Sequence, residues 1–205
     1  MFFVPLEHSG SQVVTFSNLK SLLAATGMRI GEALGLDIGN IDLDGPIIKI
    51  TASAWRAELQ APKTRAAVRE IDVAESIGDL LREFIGDRKS GLLFKTKSGK
   101  PLSQSNIIRR HLHPLLKELG IPRTGFHAFR RFRTTWLRKL GAPEDLVKLW
   151  LGHAEVSITD RYNKIKTDVA FRQKETERIG IGFEISQTAS AIVRSVRKSP
   201  EAMAA

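Results

Sequence analysis

Leu151-Gly152-His153-Ala154-Glu155-Val156-Ser157-Ile158-Thr159-Asp160-Arg161-Tyr162 stands near the end of the chain, and the segments upstream of it read as its supports. Tyr162 is the one tyrosine among 205 residues, so a phenol nucleophile in this protein has to be this side chain. Gly152 closes a short helix that Pro143 opens as its first residue, and Ser157 is placed to cap the helix carrying Tyr162. Moving outward, Gly125-Phe126-His127-Ala128-Phe129-Arg130 begins a long helix predicted from about Gly125 to Leu140. His127 and Arg130 are three apart and share a face of it. Phe129, Phe132, Trp136 and Leu140 form the predicted core-facing stripe, and Arg131, Arg133, Arg138 and Lys139 a charged face. Farther upstream, Thr26-Gly27-Met28-Arg29-Ile30-Gly31-Glu32-Ala33-Leu34 puts Arg29 and Glu32 on one side of another helical turn. A lone tyrosine in a basic chain with two arginines and two histidines in such boxes suggests phosphate chemistry.

The composition narrows the class. Lys and Arg outnumber Asp and Glu by 32 to 22, a net charge of +10 that favours a polyanionic partner, most simply nucleic acid. A hydrophobic content of 42% supports a packed core. The absence of cysteine excludes disulfides and thiolate metal sites and fits a reducing compartment. No apolar run approaches the ~18 residues of a membrane span, and Met1 to Leu6 is too short and uncharged for a secretory signal. A soluble, cytoplasmic protein with no membrane partner is expected.

The remaining chain reads as a mainly α domain with a small three-stranded antiparallel sheet. Residues 2–15 show no sustained period and are expected to be an irregular lead-in. Phe16 to Thr26 is a predicted helix capped by Ser17, with Leu19, Leu22 and Leu23 on one stripe. Pro46 to Thr51, Ala57 to Gln60 and Ala67 to Val73 are predicted strands, the last two pairing around a hairpin tip at Pro62-Lys63-Thr64-Arg65. Ala74 to Ile85 is amphipathic through Ile77, Leu80, Leu81 and Phe84. A basic loop from Asp87 to Pro101 carries Lys89, Lys95, Lys97 and Lys100. Ser103 caps a helix to Leu119 that Pro114 should bend and Gly120 should end. Past Lys166 the pattern weakens; the apolar run Ile179 to Ile185 either docks on the chain's own core or meets a partner.

Singly, each polar signal has a plain structural reading. His127 suits a helix start, Lys63 a hairpin surface, and Arg29 with Glu32 an ordinary ion pair of little worth. Together, in this order, they resemble the tyrosine recombinases, or phage integrases. The resemblance spans roughly Ser17 to Lys166. The Arg29 box is similar to the family's first arginine motif, His127-Ala128-Phe129-Arg130 to its His-x-x-Arg, and Leu151-Gly152-His153 to its second histidine. Tyr162 follows His153 at the family spacing, and Lys63 sits in a segment like the hairpin of the family's catalytic lysine.

The resemblance implies a lead-in over residues 1–16, a catalytic domain over 17–166 and a C-terminal tail over 167–205 that docks on a neighbouring protomer. It implies DNA cutting and rejoining through a covalent 3′-phosphotyrosine, with no cofactor, metal or ATP. Arg29 and Arg130 would clamp the phosphate oxygens, His153 add a hydrogen bond, and His127 receive the phenol proton. Lys63 would protonate the departing 5′ oxygen and Glu32 orient a neighbour. Arg65, Lys95, Lys97, Arg131 and Arg133 would meet the backbone of double-stranded DNA, on which the family assembles as a tetrameric synapse. Members usually carry an N-terminal DNA-clamping domain, and residues 1–16 leave no room for it; they also usually begin the catalytic domain with a helix ahead of the Phe16 one. A DNA-binding remnant without activity and a type IB topoisomerase-like relaxing activity are the alternative readings.

Overall fold

The computed structural model describes residues 10–61, 68–153 and 164–185. Helix α1 (Gly10–Thr26) buries Leu19, Leu22 and Leu23 along the expected stripe. It starts well before Phe16, so neither the irregular lead-in over 10–15 nor the Ser17 cap holds. Once an apolar stripe nucleates a helix, adding a turn needs only one backbone bond per residue and no pattern of its own. Gly27, at φ +67°, turns the chain into α2 (Ile30–Leu34), and a Cβ there would lie 2.8 Å from Leu151 Cδ2 and 3.2 Å from Arg133 Cβ. Only glycine lets the arginine box approach the later helices this closely.

Strands β1 (Ile41–Asp42), β2 (Ile47–Ile50) and β5 (Arg69–Asp72) form a three-stranded antiparallel sheet in the order β1-β2-β5. Between β2 and β5, β3 (Ser53–Trp55) and β4 (Glu58–Gln60) make a separate hairpin. Its two-residue turn uses Arg56 and Ala57, both at positive φ. The expected pairing of Ala57–Gln60 with Ala67–Val73 is therefore wrong: β4 pairs back to β3, and β5 pairs with β2. Arg-Ala carries none of the Gly or Asn signal that announces such a turn, and the longer-range partner looked equally good.

Helix α3 (Glu75–Ile85) packs Ile77, Leu80 and Leu81 inward as expected. After the basic loop, Ser103 caps α4 (Gln104–Ile107), which loosens into a π turn over Ile108–Leu112 before α5 (His113–Glu118). Pro114 has no N–H for the preceding turn, and the helix absorbs the defect by widening just ahead of it.

In α6 (His127–Lys139) the buried residues are Arg130, Arg133 and Leu137. The predicted aromatic core stripe is thus corrected: Phe132 is exposed, and Phe129, Trp136 and Leu140 are half-buried. Their cover comes from the C-terminal segment, where Phe183 meets Phe132 at 6.3 Å and Ile179 O accepts from Trp136 Nε1 at 3.0 Å. Pro143 caps α7 (Glu144–Leu151) from outside the helix, one position before the expected one, and Gly152 ends it in the left-handed region.

Beyond Lys166, where the sequence pattern weakens and no helix was expected over 169–179, α8 (Val169–Ile179) forms with Asp168 as its cap. Its Arg172 is 1% exposed, with Nε 3.0 Å from Asp72 Oδ2 and Nη2 2.8 Å from Glu70 Oε2, while Nη1 donates to the Lys166 carbonyl. Ile179 is buried, and Ile181, Phe183 and Ile185 pack against the chain's own core. Ser157, Tyr162 and the helix expected to carry it lie outside the described residues. Among the described residues, no helix is long and apolar enough to cross a membrane.

Removing one member of a buried ion pair leaves the other uncompensated. Arg172→Met should cost roughly 3–5 kcal/mol, whereas Glu70→Gln, at a partner whose side chain is 37% exposed, should cost less than about 1 kcal/mol. Urea unfolding of the two variants checks the contrast; equal losses would count against it.

Candidate functional site

Arg29 stands just ahead of α2, where Glu32 reaches back to accept from the Arg29 backbone N–H at 2.8 Å and from Arg29 Nη1 at 2.9 Å. This is more than the plain intrahelical pair that spacing allows, because Glu32 is 5% exposed and a second arginine shares it. Arg69, on β5, donates Nη1 to Glu32 Oε1 at 3.0 Å and Nη2 to Oε2 at 2.9 Å. Each carboxylate oxygen thus accepts two bonds. The Arg29 side chain itself stays 50% exposed.

Arg130 enters from α6 and is fixed by backbone at both ends of its fork. Nη1 donates to Gly27 O at 3.0 Å and Nη2 to Leu151 O at 2.7 Å, closing off the C-terminal ends of α1 and α7. Such terminal carbonyls lack intrahelical partners and carry the negative end of the helix dipole, so a guanidinium suits them. The same two bonds bring the Arg29 box, the His-x-x-Arg box and the turn before His153 to one place. Among the described residues, these bonds engage two of Arg130's five N–H donors. Burial first, then the charges of Arg29 and Arg69, lower the Arg130 guanidinium to about 10, which still leaves it cationic at neutral pH.

His153 is exposed just after Gly152. Burial and then the positive charges of Arg130, Arg29, Arg138 and Arg69 hold its imidazole below the ordinary histidine value. A histidine so placed is neutral at pH 7 and offers one N–H donor. His127 is the first residue of α6 and is exposed. Lys63, Arg65 and Tyr162 lie outside the described residues. Lys95, Lys97 and Arg131 are exposed, as a contact with a polyanion requires.

Arg133 is the correction. It is 4% exposed and donates Nη1 to Gly180 O at 2.6 Å, so it ties α6 to the end of α8 and is not a surface contact. Three residues at 3.6 per turn put Arg133 on nearly the same side as Arg130, and that side, with Leu137, is the buried one. Arg69 was missed. By strand alternation Arg69 shares a face with Ile71, which was the available signal, but in a strand reading Arg-Glu-Ile-Asp it passes equally well for an edge charge.

The arrangement sets the exposed Arg29 and His153 beside the largely buried Arg130, with Arg69 beneath them balancing Glu32. It can bind an anion such as a phosphodiester and stabilise charge that develops on it.

A family model described as the phage integrase family matches residues 7–168. Among curated proteins, the chain is similar to a tyrosine recombinase XerC-like protein of Caldanaerobacter subterraneus subsp. tengcongensis, at 27% identity covering 75% of this chain and 45% of that protein. It is also similar to tyrosine recombinase XerC of Natranaerobius thermophilus, at 30% identity covering 68% of this chain and 47% of the relative. The chain spans about half the length of these relatives. In fold it is similar to the Tn1549 transposon integrase (residues 82–397 of that protein) in complex with circular intermediate DNA, with TM-score 0.60 at 23% identity over 86% of this chain and 67% of that one. The XerH site-specific recombinase bound to difH substrate gives TM-score 0.54 at 26% identity over 76% of this chain and 44% of that one.

The Glu32 carboxyl carries a pH signature. Burial pushes it up, but the hydrogen bonds and charge of Arg69, then the bonds from Arg29, hold it below the ordinary carboxylate value. A depressed acid contributes stability that is fully present above its unfolded value, about 4.3, and is lost as pH falls through the lower folded value. Unfolding free energy should therefore fall more steeply below about pH 4.3 in wild type than in Glu32→Gln. Urea titrations stepped through acid pH measure it; parallel acid limbs would contradict the pairing.

Proposed function

The chain belongs to the phage integrase family, and from that premise we propose that it cuts and rejoins double-stranded DNA at specific sites through a covalent 3′-phosphotyrosyl intermediate on Tyr162. The observation that carries this reading is the Arg130 fork. By holding Gly27 and Leu151 together, it sets the two arginines and His153 around one surface position. The family model covers the segment that includes Lys63 and Tyr162.

In this reading the Tyr162 hydroxyl attacks the scissile phosphorus, its proton passes to His127, and the bond to the 5′ oxygen breaks as Lys63 protonates that oxygen. A phenol with pKa near 10 is ionised only to roughly one part in a thousand at neutral pH, so an acceptor for its proton is needed. Arg29 and Arg130 hold the non-bridging oxygens, whose charge grows as bonds rearrange, and neutral His153 donates one further bond. Neither metal nor ATP is required, because the arginines neutralise the phosphate and the phosphotyrosine conserves the bond for rejoining by another 5′ hydroxyl. Arg65, Lys95, Lys97 and Arg131 contribute contacts to the DNA backbone. Self-association on DNA as a tetrameric synapse completes the proposal.

Tyr162→Phe should abolish adduct formation on a nicked or suicide duplex while leaving DNA affinity unchanged, and EDTA should not prevent the wild-type adduct. Mass-spectrometric mapping of the adduct to another residue would refute the assignment, and DNA binding with no adduct would favour a purely DNA-binding role. Arg130→Lys keeps a charge but loses the two-armed fork. Its single-turnover cleavage should drop ~10²–10³-fold, the usual effect of losing one donor to a developing oxyanion; wild-type cleavage would remove Arg130 from the mechanism.

A further inference from the structure

Arg69 belongs to none of the motifs that brought the site to light, yet it touches two of them. Its side chain is 2% exposed. One edge of its guanidinium binds both oxygens of Glu32, at 3.0 and 2.9 Å, and its Nε donates to the Trp150 carbonyl at 2.9 Å. Its flat face lies against Gly152, where a Cβ would come within 2.9 Å of Cζ, Nε and Nη1. Gly152, at φ +66°, immediately precedes His153. Across Glu32 the same guanidinium reaches the residue that holds Arg29 by backbone and side chain.

We propose that Arg69 is a positioning residue of the strand-cleavage site, fixing Arg29 and His153 relative to each other by bridging the Glu32 carboxylate to the Trp150–Gly152 turn. This rests on the recombinase reading for what the site does, but the bridge itself is independent of it. Two effects follow. The first is geometric: a planar fork with a third donor on its side sets both distance and orientation, which a lysine ammonium cannot do. The second is electrostatic: without Arg69, Glu32 would keep only the hydrogen bonds from Arg29 and offset more of the charge of Arg29 and Arg130. With Arg69 sharing the carboxylate, the three arginines and one glutamate leave the site net positive. A displacement of about 1 Å in a clamp of this kind can cost on the order of 10²-fold in rate.

The test separates geometry from charge and both from stability. Arg69→Lys and Arg69→Gln are made in the full chain and their unfolding midpoints recorded, so that rates are compared where each variant is folded. Arg69→Lys should bind duplex DNA within a few-fold of wild type and cleave on the order of 10²-fold more slowly in single turnover, while the His153 imidazole, followed by NMR without DNA, titrates near its wild-type value. Arg69→Gln leaves Glu32 unbalanced, against the charges of Arg130, Arg29 and Arg138 that also face His153, so its imidazole should titrate at visibly higher pH. The double variant Glu32→Gln/Arg69→Gln should be no slower than the worse single one, as expected for residues acting as one unit. Wild-type cleavage by Arg69→Lys, an unmoved His153 titration in Arg69→Gln, or additive losses in the double variant would each overturn the proposal. If wild type forms no adduct, the recombinase reading fails instead, and the His153 titration alone decides whether the bridge exists.

Discussion

A guanidinium taken out of water costs several kcal/mol unless its charge is paired and its donors filled, and Arg69, Arg130, Arg133 and Arg172 are all buried here. The way each is satisfied organises much of the fold. Arg130 and Arg133 spend donors on carbonyls at or just past the ends of α1, α7 and α8, groups that a helix leaves without internal partners. Arg69 and Arg172 take carboxylates, Glu32 for one and Asp72 with Glu70 for the other. Helix ends and cations thus answer each other's need, and elements far apart in sequence are fixed at the points where those bonds fall.

Strand β5 is where these contacts converge. Arg69 reaches the α2 box and the end of α7, and Asp72 accepts from the Trp150 indole at 2.7 Å while pairing with Arg172 of α8. A strand of four residues therefore ties together the first arginine box, the helix leading to His153 and the helix that follows residue 164. That convergence also explains why residues 169–185 fold back onto the body: Ile179, Phe183 and Arg172 each have a ready partner there.

Gathering cations at one surface works against the fold, since like charges repel and neighbouring arginines lower one another's proton affinity, as at Arg130. One buried glutamate offsets part of that repulsion. What remains is a surface poised for an anion, with the His153 imidazole held below the ordinary histidine value by burial and then by the same positive field.

Much of the site was legible in sequence because its signals are local. The three-residue spacings of Arg29 with Glu32 and of His127 with Arg130, the glycines that end helices, and the order of the boxes depend on backbone geometry within a turn or two. The helices over 16–26 and 75–85 followed from apolar periodicity, and the one over 144–151 from Pro143 and Gly152 at its ends, for the same reason. What the sequence could not carry were choices between partners of equal local merit. Nothing near residue 57 says that β4 turns back on β3, because the turn lacks glycine and asparagine. Nothing in α6 says that Arg130 and Arg133 go inward while Phe132 stays exposed, because a guanidinium can be buried only when carbonyls from other segments arrive to receive it. Arg69 finds Glu32 37 residues away and Trp150 81 residues away. Sequence determined which groups were available and on which helical faces; only the tertiary structure decided which cations were buried, because the free energy of burying a charge depends on partners that no local window contains.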